Sequence, residues 1–164
     1  MHTLFDFDGE SSEPRWVAVN DDVMGGRSSG QLTVGDGVLT FSGTLSLANH
    51  GGFSSVRTVD YVVNLSSFKV IVLRVLGDAR RYQLRLQTDA KFRGTAVSYC
   101  VDFVASRGAW REVRLGLDSL QPKVRGTLLN GPPFNPSEVS QMGILIGDKQ
   151  EGPFTLAIDW IGVE

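Results

Sequence analysis

Apolar residues recur at every second position through most of the chain, and nothing sustains the i, i+3, i+4 spacing of a helix. The stretch Arg81-Tyr82-Gln83-Leu84-Arg85-Leu86-Gln87 shows this beat most clearly, with Tyr82, Leu84 and Leu86 on one face and four polar side chains on the other. A chain written this way folds into strands that each bury one side. The pattern predicts strands at Thr3–Phe7, Trp16–Val19, Gly30–Val34, Val38–Leu45, Phe53–Val59, Val70–Leu76 and Tyr82–Thr88. Further strands are expected at Val97–Ala105, Trp110–Leu115, Lys123–Leu128, Met142–Ile146 and Phe154–Val163. The 19 glycines fall between these runs without a fixed period, which suits many tight turns. Gly35-Asp36-Gly37 reads as a hairpin loop and Gly77-Asp78 as a turn, because these residues tolerate positive φ. Asn135-Pro136-Ser137-Glu138 offers an N-cap residue, a proline at the first helical position and a glutamate at the third, so one short helical turn is expected before Met142. Many short strands with almost no helix make an all-β sandwich or barrel.

With 164 residues, 41% hydrophobic and 21% charged, the chain has the size and balance of one folded domain spanning 1–164. A net charge of -2 lacks the positive field that general nucleic-acid binding requires, so RNA is disfavoured as a partner. Arginine supplies 12 of the 16 cations, which suits bidentate pairing with carboxylates or phosphates. The lone Cys100 lies in an apolar run and reads as a small buried thiol. Acidic residues at Asp6, Asp8, Glu10 and Glu13 match neither a secretory signal nor a transit peptide. No stretch approaches the roughly 20 apolar residues that cross a bilayer. A cytoplasmic location without membrane insertion is the expectation.

Three constellations carry the candidate chemistry. In the first, Trp16 leads into Asn20-Asp21-Asp22-Val23-Met24-Gly25-Gly26 and Ser28. Asn20, Asp21 and Asp22 offer the hard oxygen donors that Ca²⁺ takes, yet that ion wants about six to eight of them and adjacent residues cannot all converge. An Asx-stabilised corner is the favoured reading, a polar-ligand site the other, and a structural Ca²⁺ at the sandwich edge stays open. No other cofactor is expected. In the second, Asn49-His50-Gly51-Gly52 opens into a strand on which Arg57 shares a face with Phe53 and Ser55. Arg57 is therefore expected to be partly buried and paired with Asp21 or Asp22, an anion-binding role being the alternative. The third is the polar side of the alternating stretch, where Gln83, Arg85 and Gln87 could meet sugar hydroxyls on a concave sheet while Tyr99 or a tryptophan stacks on a ring. Arg74 joins these as a binding candidate. The stripe also fits an ordinary solvated sheet face.

Trp16, Trp110 and Trp160 read as core or rim packing. Lys91, Phe92 and Arg93 add a weak hint of single-stranded RNA contact. Catalytic material is thin: only His2 and His50 are available, and Asp102, Asp148 and Asp159 form a carboxylate set only if the fold unites them. No enzyme and no metal site is expected.

The two glycine loops together resemble the complex I intermediate-associated protein family. The resemblance rests on Trp16, Val19 to Gly26 and Ser28, then Phe41 to Ser46, Asn49 and Gly51 to Arg57. It continues through Trp110, Pro122, Arg125-Gly126, Met142 to Ile144, Asp148 to Gln150, Gly152 to Phe154 and Ile158 to Ile161. It implies a galactose-binding-like jelly roll, similar in shape to carbohydrate-binding modules and used for protein assembly rather than catalysis. The chain departs from the mitochondrial pattern in showing no targeting extension, which implies a bare domain with a client of its own. A protein partner is thus the leading expectation, and a carbohydrate-binding module the alternative.

Overall fold

The computed structural model describes residues 1–9, 15–21 and 25–164, and within them thirteen strands build two antiparallel sheets. The strands are β1 (His2–Phe5), β2 (Arg15–Asn20), β3 (Ser29–Gly35), β4 (Val38–Leu45), β5 (Ser54–Val59), β6 (Val70–Leu76) and β7 (Arg81–Phe92). They continue as β8 (Thr95–Val104), β9 (Arg111–Gly116), β10 (Gln121–Val124), β11 (Thr127–Leu128), β12 (Gln141–Ile146) and β13 (Gly152–Val163). A six-stranded sheet has the order β3-β4-β13-β6-β9, with β1 added to β13, and a seven-stranded sheet has the order β11-β10-β8-β7-β12-β5-β2.

The period-two pattern decides which side of each sheet turns inward. Tyr82, Leu84 and Leu86 of β7 meet Met142, Ile144 and Ile146 of β12 and face Leu39, Phe41 and Leu45 of β4, all at most 1% exposed. Fully burying one such side chain contributes about 1.5–3 kcal/mol, so this shared layer is the main source of stability. β13 is the long axis of its sheet: residues 152–158 pair with β4, residues 161–163 pair with β1, and residues 157–163 pair with β6. A register shift between Ile158 and Trp160 re-phases the strand, so that Ile158 and Ile161 both enter the core although they are an odd number of residues apart.

Two-residue turns with both residues at positive φ close three hairpins: Asp36-Gly37, Arg93-Gly94 and Arg125-Gly126. Such turns match the twist of antiparallel strands, and glycine takes the second position without strain. The last of them cuts the expected strand Lys123–Leu128 into β10 and β11. Arg93-Gly94 caps a longer hairpin than expected, because β7 continues past Thr88 to Phe92. Lys91 and Phe92 therefore end a strand, with the Arg93 guanidinium 5.1 Å from the Phe92 ring centre. Between β6 and β7 the positive φ falls on Ala79 instead of Gly77 or Asp78. Gly77 is required for another reason: a Cβ there would lie 2.3 Å from that of Ala105. The expected helical turn is a 3₁₀ turn at Pro136–Glu138, capped by the Asn135 side chain accepting from Ser137 N–H. No helix among the described residues is long and apolar enough to cross a membrane.

Candidate functional site

Asp21 follows β2 and is wholly buried. Its Oδ1 accepts from Ser28 N–H at 2.9 Å, and its Oδ2 accepts from Ser28 Oγ at 2.7 Å, Gly52 N–H at 2.6 Å and Phe53 N–H at 3.2 Å. Glycines on both loops make room for the carboxylate: a Cβ at Gly26 would lie 2.4 Å from Asp21 Cγ, and one at Gly51 would lie 2.6 Å from Oδ2. Burial pushes the carboxyl pKa up, but the hydrogen bonds from Ser28, Gly52 and Phe53 outweigh it and hold the group below the usual carboxylate range. One residue earlier, Asn20 Oδ1 accepts from Ser54 Oγ and its Nδ2 donates to Gly30 carbonyl, tying β2, β3 and β5 at one edge of the sandwich. Asn20 and Asp21 thus spend their polar atoms inside the fold. Four N–H and O–H groups aimed at Asp21 are the wrong environment for Ca²⁺, which needs oxygens. Asp22 lies outside the described residues, as does the side chain of His50.

The expected ion pair between Arg57 and Asp21 is not formed. Alternation does put Arg57 and Ser55 on one face of β5, but that face is the outer one, since Ser54, Val56 and Thr58 are the buried residues. Arg57 is exposed, and backbone N–H groups take the place assigned to its guanidinium.

Arg57 instead stands in a row across the outer face of the seven-stranded sheet. The pairing register aligns Val17, Arg57, Gly143, Arg85, Cys100 and Gln121 on successive strands. On one side of this row Leu145, Gln83 and Asp102 align, and on the other Gln141, Gln87, Ser98 and Lys123. Gln83 Nε2 donates to Asp102 at 3.2 Å, and Gln87 Nε2 donates to Ser98 Oγ at 3.1 Å. Arg85 Nε is buried and has no hydrogen-bond partner among the described residues. Cys100 is buried beside it: burial pushes the thiol pKa up while the Arg85 guanidinium pulls it down. The structure therefore brings Arg57, Gln83, Arg85 and Gln87 onto one surface.

Tyr99 and Arg74 belong elsewhere. Tyr99 is in register with the inward residues Val97 and Phe103, is fully buried, and donates its hydroxyl to Pro132 carbonyl at 2.9 Å. It cannot stack on a ligand. Changing Tyr99 to Phe removes that hydrogen bond and is expected to cost about 1 kcal/mol, read as a lower urea midpoint at unchanged m. Arg74 lies on the opposite sheet, where its Nε donates to Asp159 at 3.1 Å and its guanidinium sits 5.8 Å from the Trp110 ring centre. Trp16 is in the core with Phe5 and Phe7, and Trp110 and Trp160 are half-buried near Arg74. The strand positions facing outward across the centre of the seven-stranded sheet carry no aromatic ring.

A second buried charge was not legible in the sequence. Arg80 donates from Nε and Nη2 to Asp148 at 2.9 and 2.6 Å, and to the carbonyls of Gln150, Gly152 and Pro153 at 2.5, 3.2 and 2.9 Å. Burial raises the Asp148 carboxyl pKa, but the hydrogen bonds from Arg80 and from Gln150 N–H lower it further, leaving it below its usual range. Asp102 and Asp148 line one open hollow of about 550 Å³, while Asp159 is on the other sheet with Arg74. An Asp148 held ionised by Arg80 is not a general acid. Among the described residues no group of three or more His, Cys, Asp or Glu is placed to hold a metal ion.

A family model described as Complex I intermediate-associated protein 30 (CIA30) matches residues 5–158. The Mus musculus protein "Complex I intermediate-associated protein 30, mitochondrial" is 28% identical over 179 aligned positions, covering 91% of this chain and 52% of the mouse protein. The chain thus spans about half the length of that relative. Its mitochondrial location overturns the expected cytoplasmic one. Of the acidic residues that prompted that expectation, Asp6 and Asp8 follow β1, a paired strand of the sheet, so their charge reports on the folded domain and not on its location, while Glu10 and Glu13 lie outside the described residues. Among solved structures, the family 11 carbohydrate-binding module of Clostridium thermocellum, in complex with a β-1,3-1,4-mixed-linked tetrasaccharide, superposes with a TM-score of 0.68 at 14% identity, covering 99% of this chain and 94% of the module. The family 30 module of the cellulosomal cellulase from the same organism gives 0.62 at 13% identity, covering 92% and 91%. The fold is the galactose-binding-like sandwich of those modules.

Proposed function

Because the chain belongs to the Complex I intermediate-associated protein 30 family, we propose that it is a non-catalytic binding domain that holds a protein intermediate during assembly of respiratory complex I. The docking surface in this reading is the outer face of the seven-stranded sheet. The observation that carries it is the row Arg57, Gly143, Arg85 with its flanking amides, a broad polar surface whose cations have no ion-pair partner among the described residues. Arg80 and Arg74, by contrast, are engaged within the fold. Both sheets contribute to a single core running from Phe5 to Val163, which supports treating 1–164 as one domain.

The carbohydrate reading draws on the likeness to the modules, and it needs a ring to stack on a sugar. Tyr99 and Trp16 are inside, and the other two tryptophans are on the opposite sheet. A protein surface can be bound without such a platform.

The test is affinity capture from solubilised respiratory membranes of cells that naturally make the chain, with subunits identified by mass spectrometry. Gln83→Trp and Gln87→Trp place bulk on the face without touching the core, so capture of complex I subunits should fall at least about tenfold while the melting temperature holds. Undiminished capture sinks the assignment of this face. If the wild type captures no respiratory subunit but binds mixed-linked β-glucan in a calorimeter, the module reading replaces the assembly reading.

A further inference from the structure

The surface just assigned has a focal point. Strands in a sheet lie about 4.8 Å apart, so Arg57 and Arg85, each in register with Gly143 from opposite sides, stand about 10 Å apart across a glycine. Gly143 cannot readily be anything else: a Cβ there would lie 2.9 Å from Val56 carbonyl and 3.3 Å from Arg57 Cβ. Gly143 is itself buried and puts no side chain between the two arginines. Neither arginine is in an ion pair among the described residues, where the Arg85 guanidinium has the Cys100 thiol beside it and its Nε has no hydrogen-bond partner. A carboxylate is the acceptor that a guanidinium pairs with most strongly, and neither arginine has one among those residues.

Charge has the same sense. The three central rows hold Arg57, Arg85 and Lys123 against Asp102 alone, and Asp102 already accepts from Gln83. A positive strip thus crosses the face of a chain whose net charge is -2. Its neighbours are amides, Gln83, Gln87 and Gln141, which offer acceptors as well as donors. An acceptor-only oxyanion such as phosphate would use only half of that set. Peptide groups on either side of an acidic side chain would use both halves.

We propose that Arg57, Gly143 and Arg85 form an oxyanion seat that takes a side-chain carboxylate from an acidic segment of the protein partner. This rests on the reading of the outer face as the docking surface. The carboxylate is held between the two guanidinium forks, above the buried Gly143, and the amide rows hold the flanking backbone. Arg is suited to this because its planar fork can meet both carboxylate oxygens at once.

The experiment titrates the whole ¹⁵N-labelled chain with hexaglutamate at low salt and, in parallel, with inorganic phosphate. The expected result is a concerted shift of the Arg57 and Arg85 Nε–H and Gly143 N–H resonances, with hexaglutamate binding weakened about tenfold by Arg57→Gln or Arg85→Gln. Capture of complex I subunits should fall with the same variants. Shifts scattered over the surface, or binding indifferent to either substitution, overturn the seat, as does phosphate binding there as tightly as hexaglutamate. If the tryptophan variants block capture but the glutamine variants capture as the wild type does, the docking face stands and the carboxylate seat falls. Should Arg85→Gln lower the melting temperature, the exposed Arg57→Gln carries the test alone.

Discussion

Replacing Asp21 by Asn should remove about 3–5 kcal/mol of folding stability, a large part of the roughly 5–15 kcal/mol that a domain possesses. The isosteric amide keeps one acceptor, which can serve Ser28 N–H. Its NH₂ then faces the N–H groups of Gly52 and Phe53, donor against donor, while the Ser28 hydroxyl must turn round to accept from it. The two glycine loops lose their common anchor at the edge where the sheets meet. The pH dependence separates charge from shape. The folded carboxyl lies below its unfolded value of about 3.9, so its contribution is full above that pH and fades as the pH falls through the folded value. The gap in urea midpoint between wild type and Asp21→Asn should therefore be wide at neutral pH and narrow in acid. A gap of equal size at both ends would show that the clasp works by packing and not by charge.

The second large effect is expected at Arg80. Changing it to Met leaves Asp148, whose side chain is only 6% exposed, without its cation and strips three carbonyls of a donor. Removing one member of a buried pair costs about 3–5 kcal/mol, because the remaining charge is stranded. The same argument predicts partial rescue: adding Asp148→Asn to Arg80→Met should recover some of the loss, since no buried charge is left over. Hydrogen exchange offers a local readout, with amides of residues 148–153 losing protection before those of β7. A single variant as stable as the wild type would mean that the 148–153 turn holds its shape unaided.

These two charges also mark how far the sequence could be read. Strands were legible because alternation is imposed by burial, and the Asn135 turn because cap, proline and glutamate stand in fixed order. Arg125-Gly126 and Arg93-Gly94 hid their hairpins because Arg-Gly is not the usual Asn-Gly or Asp-Gly signal, although the φ angles are the same. Alternation groups Arg57 with Ser55 but does not say which group faces inward, and the expected pair with Asp21 failed on that point. The linking of the two glycine loops was anticipated; the donors that do it are backbone N–H groups, which every residue but proline has and no side chain announces. Arg80 escaped notice because Asp148 lies 68 positions away and its other acceptors are carbonyls. The stripe of Gln83, Arg85 and Gln87 was visible as a set, whereas its alignment with Arg57 across Gly143 depends on a register only the folded sheet provides.

The placement of β13 bears on how the molecule is made. It is the last of the described strands in the sequence, yet it occupies the middle of its sheet, between β4 and β1 on one side and β6 on the other. Until residues 152–163 are in place, the β3–β4 and β6–β9 pairs have no strand between them, and the six-stranded sheet cannot close over the apolar side of the other. Pairings between strands so far apart in sequence form slowly, so the docking of β13 sets when the sandwich closes.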